Sequence, residues 1–124
     1  MAISSSKGEF KRKTSQFGAT IPSADHPPES GRYALYISYG CPWAHRANIT
    51  RSLKRLDDII ERVELDGYDV TKGWHFIGKT GHAKDPITGV ETLRQLYLQA
   101  DPACLDDGIA SVPVLWDRKK SQWR

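Results

Sequence analysis

The fold is decided by the stretch Leu35-Tyr36-Ile37-Ser38-Tyr39-Gly40-Cys41-Pro42-Trp43-Ala44-His45-Arg46, which joins an apolar strand candidate to a helix through a short turn. Pro42 suits the first helical position, where a residue without an N–H leaves no bond unmade, so Cys41 falls at or beside the N-cap. Free backbone N–H groups and the positive end of the helix dipole favour a thiolate there, and His45 and Arg46 add positive potential one turn later. Cys41 is therefore the candidate nucleophile, with Pro42, His45 and Arg46 as its supporting residues.

The residue three places after Cys41 determines which thiol chemistry is available. A dithiol oxidoreductase has a second cysteine there, but this chain has Ala44. A monothiol left in a mixed disulfide must be released by an external thiol, and glutathione is the natural cellular one. The alternative is that Cys41 is a small buried hydrophobic residue, as most free cysteines are. The Cys-Pro pair between strand and helix favours the nucleophile.

Composition bounds the class of protein. The 124 residues suffice for one domain with a single core. Two distant cysteines provide no disulfide framework and the N-terminus lacks the apolar segment of a signal peptide, so we expect a cytoplasmic protein. The basic residues within 1–20 leave mitochondrial import as the alternative. No apolar run approaches the roughly 18 residues of a membrane span, and a net charge of +3 with scattered signs does not indicate nucleic acid, so we expect neither as a partner.

Hydrophobic periodicity predicts an α/β order of β-α-β-α-β after an extended N-terminal arm over residues 1–30. The predicted strands are 32–38, 61–65 and 112–116, and the predicted helices are 42–56 and 91–99. The interval between residues 65 and 90 is rich in Gly, Asp and Pro, and we interpret it as an irregular loop that is functional or partly disordered. Three apolar residues are expected to pin the arm, namely Phe10, Phe17 and Ile21. The apolar stripe of the first helix is interpreted as core, and it consists of Trp43, Ala47, Ile49, Leu53, Leu56 and Ile60.

Pro113 opens the third predicted strand, where its missing N–H removes no ladder bond. In this element order the position faces the start of the first helix. We expect a cis peptide bond between Val112 and Pro113, because such a turn beside Cys41 would present the N–H and C=O of Val112 as an edge for a peptide such as glutathione. An ordinary trans proline opening an edge strand is the alternative.

Several motifs in one order identify a family resemblance. The Cys41–Arg46 motif follows Gly31-Arg32-Tyr33-Ala34-Leu35-Tyr36 and precedes Gly73-Trp74-x-Phe76, Leu93-Arg94-x-Leu96-Tyr97 and Ser111-Val112-Pro113-Val114-Leu115-Trp116-Asp117. From about Phe10 to Asp117 the chain closely resembles the omega-like Xi-class glutathione transferases, the glutathionyl-hydroquinone reductases. The resemblance implies a thioredoxin-like, glutathione-binding domain over residues 31–124 with Cys41 as nucleophile. It also implies that Trp74, Val112 and Pro113 bind glutathione.

The mechanism implied by the resemblance begins with attack of the Cys41 thiolate on the sulfur of a glutathionyl-hydroquinone. The hydroquinone leaves, and a second glutathione resolves the Cys41–glutathione mixed disulfide. Glutathione is thus the expected co-substrate, small aromatic glutathionyl conjugates are the expected partners, and no metal is expected.

The chain also departs from the family pattern. The family continues into a fourth strand, a helix with a Glu-Ser pair for the glutamyl end of glutathione, and an all-helical domain. We expect the domain to be truncated before that strand and helix, with an open sheet face and an unpaired edge on strand 112–116. A family-like homodimer is then expected only for the full-length form, and a non-catalytic remnant or interaction module is the alternative function.

The second cysteine, Cys104, is a candidate remote resolving thiol. Two arguments oppose that role. Its neighbours Asp106 and Asp107 disfavour a thiolate, and no spacing rule brings Cys104 to Cys41.

Overall fold

The computed structural model describes residues 2–4, 10–12, 18–104, 110–120 and 122–123. The helices are α1 (Pro42–Leu53) and α2 (Leu93–Ala100). Neither of these, nor any other helix of the described ranges, is long and apolar enough to cross a membrane. The strands are β1 (Ala2–Ser4), β2 (Phe10–Arg12), β3 (Tyr33–Ile37), β4 (Glu61–Glu64), β5 (Gly67–Asp69), β6 (Gly73–His75), β7 (Val114–Asp117) and β8 (Gln122–Trp123).

A four-stranded sheet in the order β4-β3-β7-β8 forms the centre of the fold. β3 pairs in parallel with β4 and antiparallel with β7, with Tyr36 opposite Val114. All five residues of β3 are buried because the strand has a neighbour on each side and covered faces. This arrangement confirms the predicted α/β order. The largest fully buried apolar side chains come from both sheet and helix: Tyr36, Ile37, Val63, Leu65, Leu93, Leu96, Val114 and Trp116.

The third predicted strand differs from the expectation in where its pairing starts and in which strands it pairs with. Pairing begins at Val114 rather than at residue 112, because Pro113 has no N–H for the ladder. A short fourth strand, β8, pairs antiparallel with β7 through Trp116 opposite Trp123, so the edge that was expected to be unpaired has a partner there. Asp117 makes the reversal possible, because its Oδ1 accepts the backbone N–H groups of Lys119 at 3.0 Å and Lys120 at 3.3 Å.

Helix α1 corrects the predicted core stripe. It ends at Leu53, three residues earlier than predicted, and Arg55 then takes a left-handed φ of 55° that cannot continue a helix. Trp43 is 62% exposed and Leu53 is 77% exposed, so these members of the stripe are not core, whereas Ala47 and Ile60 pack against the core. The buried residues of α1 are instead Ala44, Asn48 and Arg51. Beside α1 an apolar groove of about 300 Å³ opens on the sheet, lined by Leu35, Ala47, Thr50, Arg51, Leu56, Ile60, Pro113 and Leu115.

Buried Arg51 explains why α1 presents a polar residue to the interior. Its Nε donates to the Ile60 carbonyl at 2.6 Å, and its Nη2 donates to the Asp57 carbonyl at 2.8 Å. Both acceptors belong to the segment that follows the helix. The guanidinium therefore folds that segment back under α1, where an apolar side chain would leave the two carbonyls without these donors.

The long interval after β4 is ordered by carboxylates. Asp66 accepts four backbone N–H groups, from Ile77 at 2.8 Å and from residues 79–81 at 2.7, 2.9 and 3.3 Å. Asp85 accepts the Tyr36 hydroxyl at 2.7 Å and the N–H groups of Ile87 and Thr88. Between them β5 and β6 form an antiparallel hairpin. The predicted irregular loop is thus a hairpin with two turns built on aspartates.

The N-terminal arm contains more structure than an extended segment. β1 and β2 form an antiparallel pair. His26 is buried with its Nδ1 2.7 Å from Asp117 Oδ2, and Arg32 Nε and Nη2 donate to the same carboxylate at 2.9 and 2.8 Å. This buried cluster of three residues attaches the arm to the end of β7. Of the expected anchors, Ile21 is partly buried, the Phe10 side chain is not described, and Phe17 lies outside the described residues.

Candidate functional site

The candidate nucleophile occupies the predicted place at the start of α1. Cys41 is the N-cap residue, with φ −108° and ψ 116°, and Pro42 follows at the first helical position. The Cys41 N–H donates to the Ser38 carbonyl at 3.0 Å, and the Cys41 carbonyl accepts the His45 N–H at 3.1 Å. The side chain makes no capping hydrogen bond, and it is partly exposed. The backbone of Cys41 is therefore held on both sides while its thiol stays uncommitted to the helix.

The backbone of Val112 lies beside this thiol. Cys41 Sγ is 3.8 Å from the Val112 carbonyl oxygen, and the Val112–Pro113 peptide bond is cis, as predicted. The Val112 side chain is buried, whereas Pro113 is exposed. The antiparallel direction of β7 produces this proximity, because it brings the start of β7 to the same end of the sheet as the end of β3. The structure thus joins two predicted site residues that are 71 positions apart.

The two residues predicted to support the thiolate with positive charge follow Cys41 on α1. His45 and Arg46 are both exposed, and the Arg46 guanidinium lies 5.9 Å from the centroid of the Trp43 ring. Within the described ranges, no hydrogen bond or ion pair connects either side chain to the Cys41 thiol. Tyr39, two residues before the cysteine, is a second exposed aromatic residue. The Arg62 guanidinium lies 5.6 Å from the centroid of its ring. The support of a thiolate by Pro42, His45 and Arg46 stays a prediction.

Trp74 is placed on the β5–β6 hairpin rather than on the main sheet. It is partly buried, and its ring centroid is 4.8 Å from that of Tyr68, its cross-strand partner. Part of the Trp74 side chain packs on the core. No contact with Cys41 or Val112 is recorded in the part of the chain that the structure describes. The assignment of Trp74 to glutathione binding therefore also stays a prediction.

One residue near the site, Tyr97, was missed at the level of sequence. The Tyr97 hydroxyl donates to the Ser111 carbonyl at 2.7 Å, directly before Val112. Cys104 Sγ lies 3.4 Å from the Tyr97 carbonyl, and neither Cys104 nor Cys41 forms a disulfide. Asp106 and Asp107, the neighbours invoked against a redox role of Cys104, lie outside the described residues. The only sequence signal for Tyr97 was its place in the Leu-Arg-x-Leu-Tyr motif.

Metal ligation finds no support in the described ranges, where no group of three or more His, Cys, Asp or Glu side chains is arranged to hold an ion. The chemistry available at the site is that of a single thiol beside a peptide edge. Within the same ranges the Val112 N–H has no hydrogen-bond partner. A bound extended peptide can pair with that edge and bring its own sulfur to Cys41.

Comparison with known sequences matches this chain to one domain of longer proteins. The family model described as "Glutathione S-transferase, N-terminal domain" matches residues 40–123. The chain is 43% identical over 120 residues to Glutathione S-transferase omega-like 2 of Schizosaccharomyces pombe, covering 94% of this chain and 37% of that protein. It is 40% identical over 114 residues to Glutathionyl-hydroquinone reductase PcpF of Sphingobium chlorophenolicum, covering 92% of this chain and 36% of that one. The chain therefore spans little more than a third of these relatives.

Solved structures give the same result. The glutathione-S-transferase Xi from Phanerochaete chrysosporium matches with a TM-score of 0.81 and 39% identity, over 92% of this chain and 39% of the other. The glutathione-bound structure of YqjG, a glutathione transferase homolog from Escherichia coli K-12, matches with a TM-score of 0.69 and 42% identity, over 77% and 31%. These matches confirm the predicted thioredoxin-like fold and the predicted resemblance to the Xi class.

Proposed function

Because this chain belongs to the family of glutathione S-transferase N-terminal domains, we propose that it binds glutathione at the Cys41–Val112 edge and forms a mixed disulfide through Cys41. The observation that carries the proposal is the 3.8 Å approach of Cys41 Sγ to the Val112 carbonyl. Two supporting observations are the glutathione-bound relative and Ala44 at the position of a resolving cysteine. An incoming glutathione would align its peptide backbone with Val112 and its sulfur with Cys41.

The finer proposal is reduction of glutathionyl-hydroquinones, supported by the relative of that name. The Cys41 thiolate attacks the glutathione sulfur, so that a Cys41–glutathione S–S bond forms and the bond from sulfur to the aromatic carbon breaks. The electron pair of that bond stays on the carbon, which takes up a proton and leaves as the hydroquinone. A second glutathione thiolate then attacks the glutathione sulfur of the mixed disulfide, which releases oxidised glutathione and restores the Cys41 thiolate. Two glutathione sulfurs are oxidised, and the aromatic carbon is reduced by two electrons.

Intact-mass spectrometry with oxidised glutathione tests the coarser proposal directly. The expected product is one glutathione per chain on Cys41, with release of one reduced glutathione. Cys104→Ser is the matched control and should keep the adduct, whereas Cys41→Ser should lose it. An adduct confined to Cys104, or a Cys41–Cys104 disulfide as the main product, would refute the monothiol mechanism.

Turnover separates an enzyme from a binding module. The wild-type chain is incubated with a glutathionyl-hydroquinone and reduced glutathione, and the released hydroquinone is measured by chromatography. Formation of hydroquinone that depends on Cys41 supports the reductase. Formation of the Cys41 adduct without release of hydroquinone would instead favour a non-catalytic glutathione-binding module.

A further inference from the structure

The Val112 side chain packs in the core, but few hydrogen bonds within the described ranges hold the peptide that faces Cys41. This peptide comprises residues 110–113, which directly precede β7. Within the described ranges, two hydrogen bonds involve these four residues. One is the approach of Cys41 Sγ to the Val112 carbonyl, and the other runs from the Tyr97 hydroxyl to the Ser111 carbonyl. Within those ranges, the second is thus the hydrogen bond that fixes this peptide without involving the reactive thiol.

Tyr97 is well placed to fix that peptide. It lies on α2, whose first turn is capped by Thr92 and Gln95 in a reciprocal capping box. Its ring packs against the hydrophobic core, and its hydroxyl is 2.7 Å from the Ser111 oxygen. Burial raises the pKa of Tyr97, so the hydroxyl keeps its proton and acts as the donor. A rigid helix therefore delivers a donor to one carbonyl of the site peptide.

The orientation of Val112 follows from that of Ser111. The Ser111 carbonyl and the Val112 N–H belong to one planar peptide group, so holding the carbonyl also fixes the direction of the N–H. An extended ligand pairs with both the N–H and the C=O of one residue, and both must point toward it. Loss of the tyrosine hydroxyl frees this peptide group to rotate and should weaken ligand pairing.

We propose that Tyr97 is a positioning residue for the Cys41 site, whose hydroxyl orients the Ser111–Val112 peptide so that Val112 can pair with glutathione. The inference rests on the proposed function, because it concerns how the same edge is presented. Tyr97 contacts neither the thiol nor the expected ligand sulfur in this arrangement. Its effect should therefore fall on ligand affinity and leave the intrinsic reactivity of Cys41 unchanged.

The test compares Tyr97→Phe with Tyr36→Phe. Each variant removes the hydroxyl donor of one hydrogen bond, and the Tyr36 hydroxyl donates to Asp85 Oδ2 at 2.7 Å rather than to the site peptide. The rate of Cys41 adduct formation is measured against the concentration of oxidised glutathione, and alkylation of Cys41 by iodoacetamide is measured in parallel. Tyr97→Phe should raise the half-saturating concentration about fivefold, the equivalent of one net hydrogen bond, with an unchanged limiting rate and unchanged alkylation. Tyr36→Phe should leave all three values unchanged.

Each outcome decides the inference. Equal half-saturating concentrations of oxidised glutathione in the two variants, or a parallel fall in adduct formation and alkylation, would refute the positioning role of Tyr97. The proposed function would then still stand. A wild-type chain that forms no Cys41 adduct refutes the proposed function and this inference with it. If Tyr97→Phe does not fold, reduced glutathione is added to the Cys41→Ser chain with ¹³C-labelled tyrosine rings. A shift of the Tyr97 signal without a shift of the Tyr36 signal then supports the inference, and an unshifted Tyr97 signal overturns it.

Discussion

Replacement of Asp117 by alanine should be among the most destabilising single changes in the chain. The carboxylate is fully buried at 0% exposure and accepts hydrogen bonds from Arg32 and His26, which are buried as well. It also accepts the two backbone N–H groups of the turn that leads into β8. Asp117→Ala leaves the guanidinium of Arg32 inside the protein without its main counter-charge, and frees the turn at the same time.

The expected loss is set by the uncompensated charge. Breaking a buried ion pair by removing one partner costs about 3 kcal/mol at the lower end of the usual range. Asp57→Ala is the matched control, because it also removes a carboxylate 3.0 Å from a buried arginine, Arg51. The Asp57 side chain is 59% exposed, and Arg51 keeps the Ile60 and Asp57 carbonyls as acceptors. We therefore expect the control to cost about 0.5 kcal/mol, the value typical of exposed pairs.

Urea unfolding followed by far-UV circular dichroism measures both losses. With an m-value of about 1.5 kcal/mol per molar, Asp117→Ala should lower the midpoint by about 2 M and Asp57→Ala by about 0.3 M. A midpoint shift for Asp117→Ala no larger than that of Asp57→Ala would show that the cluster contributes no net stability, and the reasoning from burial would be wrong.

The same carboxylate predicts a pH dependence. Burial opposes ionisation of Asp117, but hydrogen bonds from Arg32, His26 and the two turn N–H groups outweigh it and hold the pKa of this carboxyl well below its ordinary value. A depressed pKa contributes stability that is fully present above the unfolded-state value and is lost as the pH falls through the folded-state value. Wild-type stability should therefore decline below about pH 4, and Asp117→Ala should lack this part of the decline.

Three further predictions follow from local geometry. Asp66→Asn should accelerate amide hydrogen exchange at residues 77 and 79–81, because four N–H groups share its carboxylate, and unchanged protection by NMR would contradict that role. Gly81→Ala should cost about 2 kcal/mol in the same urea assay, since its Cβ would lie 2.8 Å from the Glu64 carbonyl oxygen. Gly40→Ala, whose Cβ would meet only a hydroxyl at 3.7 Å, should cost less than about 0.5 kcal/mol, and equal losses would refute the contact argument. Iodoacetamide should label Cys41 before Cys104, because Cys41 lies at a helix N-terminus and its sulfur is 3.8 Å from a carbonyl oxygen, against 3.4 Å for Cys104; peptide mapping that gives the reverse order would contradict this.

The parts of the site that sequence alone predicts are those with a local or covalent signal. The strand, the turn and the Cys-Pro start of α1 lie within a dozen residues, and Pro113 restricts its own backbone. The cis bond and the approach to Cys41 followed from pairing these two signals. Positions of Trp74, His45 and Arg46 relative to the thiol depend on loops and rotamers that carry no such signal.

The incorrect predictions share one physical cause, namely hydrogen bonds to partners that are distant in the sequence. Hydrophobic spacing assigned Trp43, Ile49 and Leu53 to the core, but Arg51 takes the inner face because its acceptors lie in the segment after the helix. Likewise Asp117 meets His26 across 91 positions. Hydrogen bonds of this kind depend on the tertiary fold, and they cannot be predicted from the hydrophobic periodicity of the sequence. Cytoplasmic localisation stays a prediction from composition.

The antiparallel register of β3 and β7 determines how far the Val112 carbonyl lies from the Cys41 thiol. The last pair of this ladder, Tyr36 opposite Val114, lies two residues from Val112 on one strand and two residues from Ser38 on the other, and the Ser38 carbonyl accepts the Cys41 N–H. A slip of two residues would preserve the inward and outward alternation of side chains but would move the Val112 carbonyl by about 6.6 Å, far beyond the reach of Cys41 Sγ. The register of the two strands therefore also sets the distance between Cys41 Sγ and the Val112 carbonyl, so a change of register would alter the proposed site together with the core.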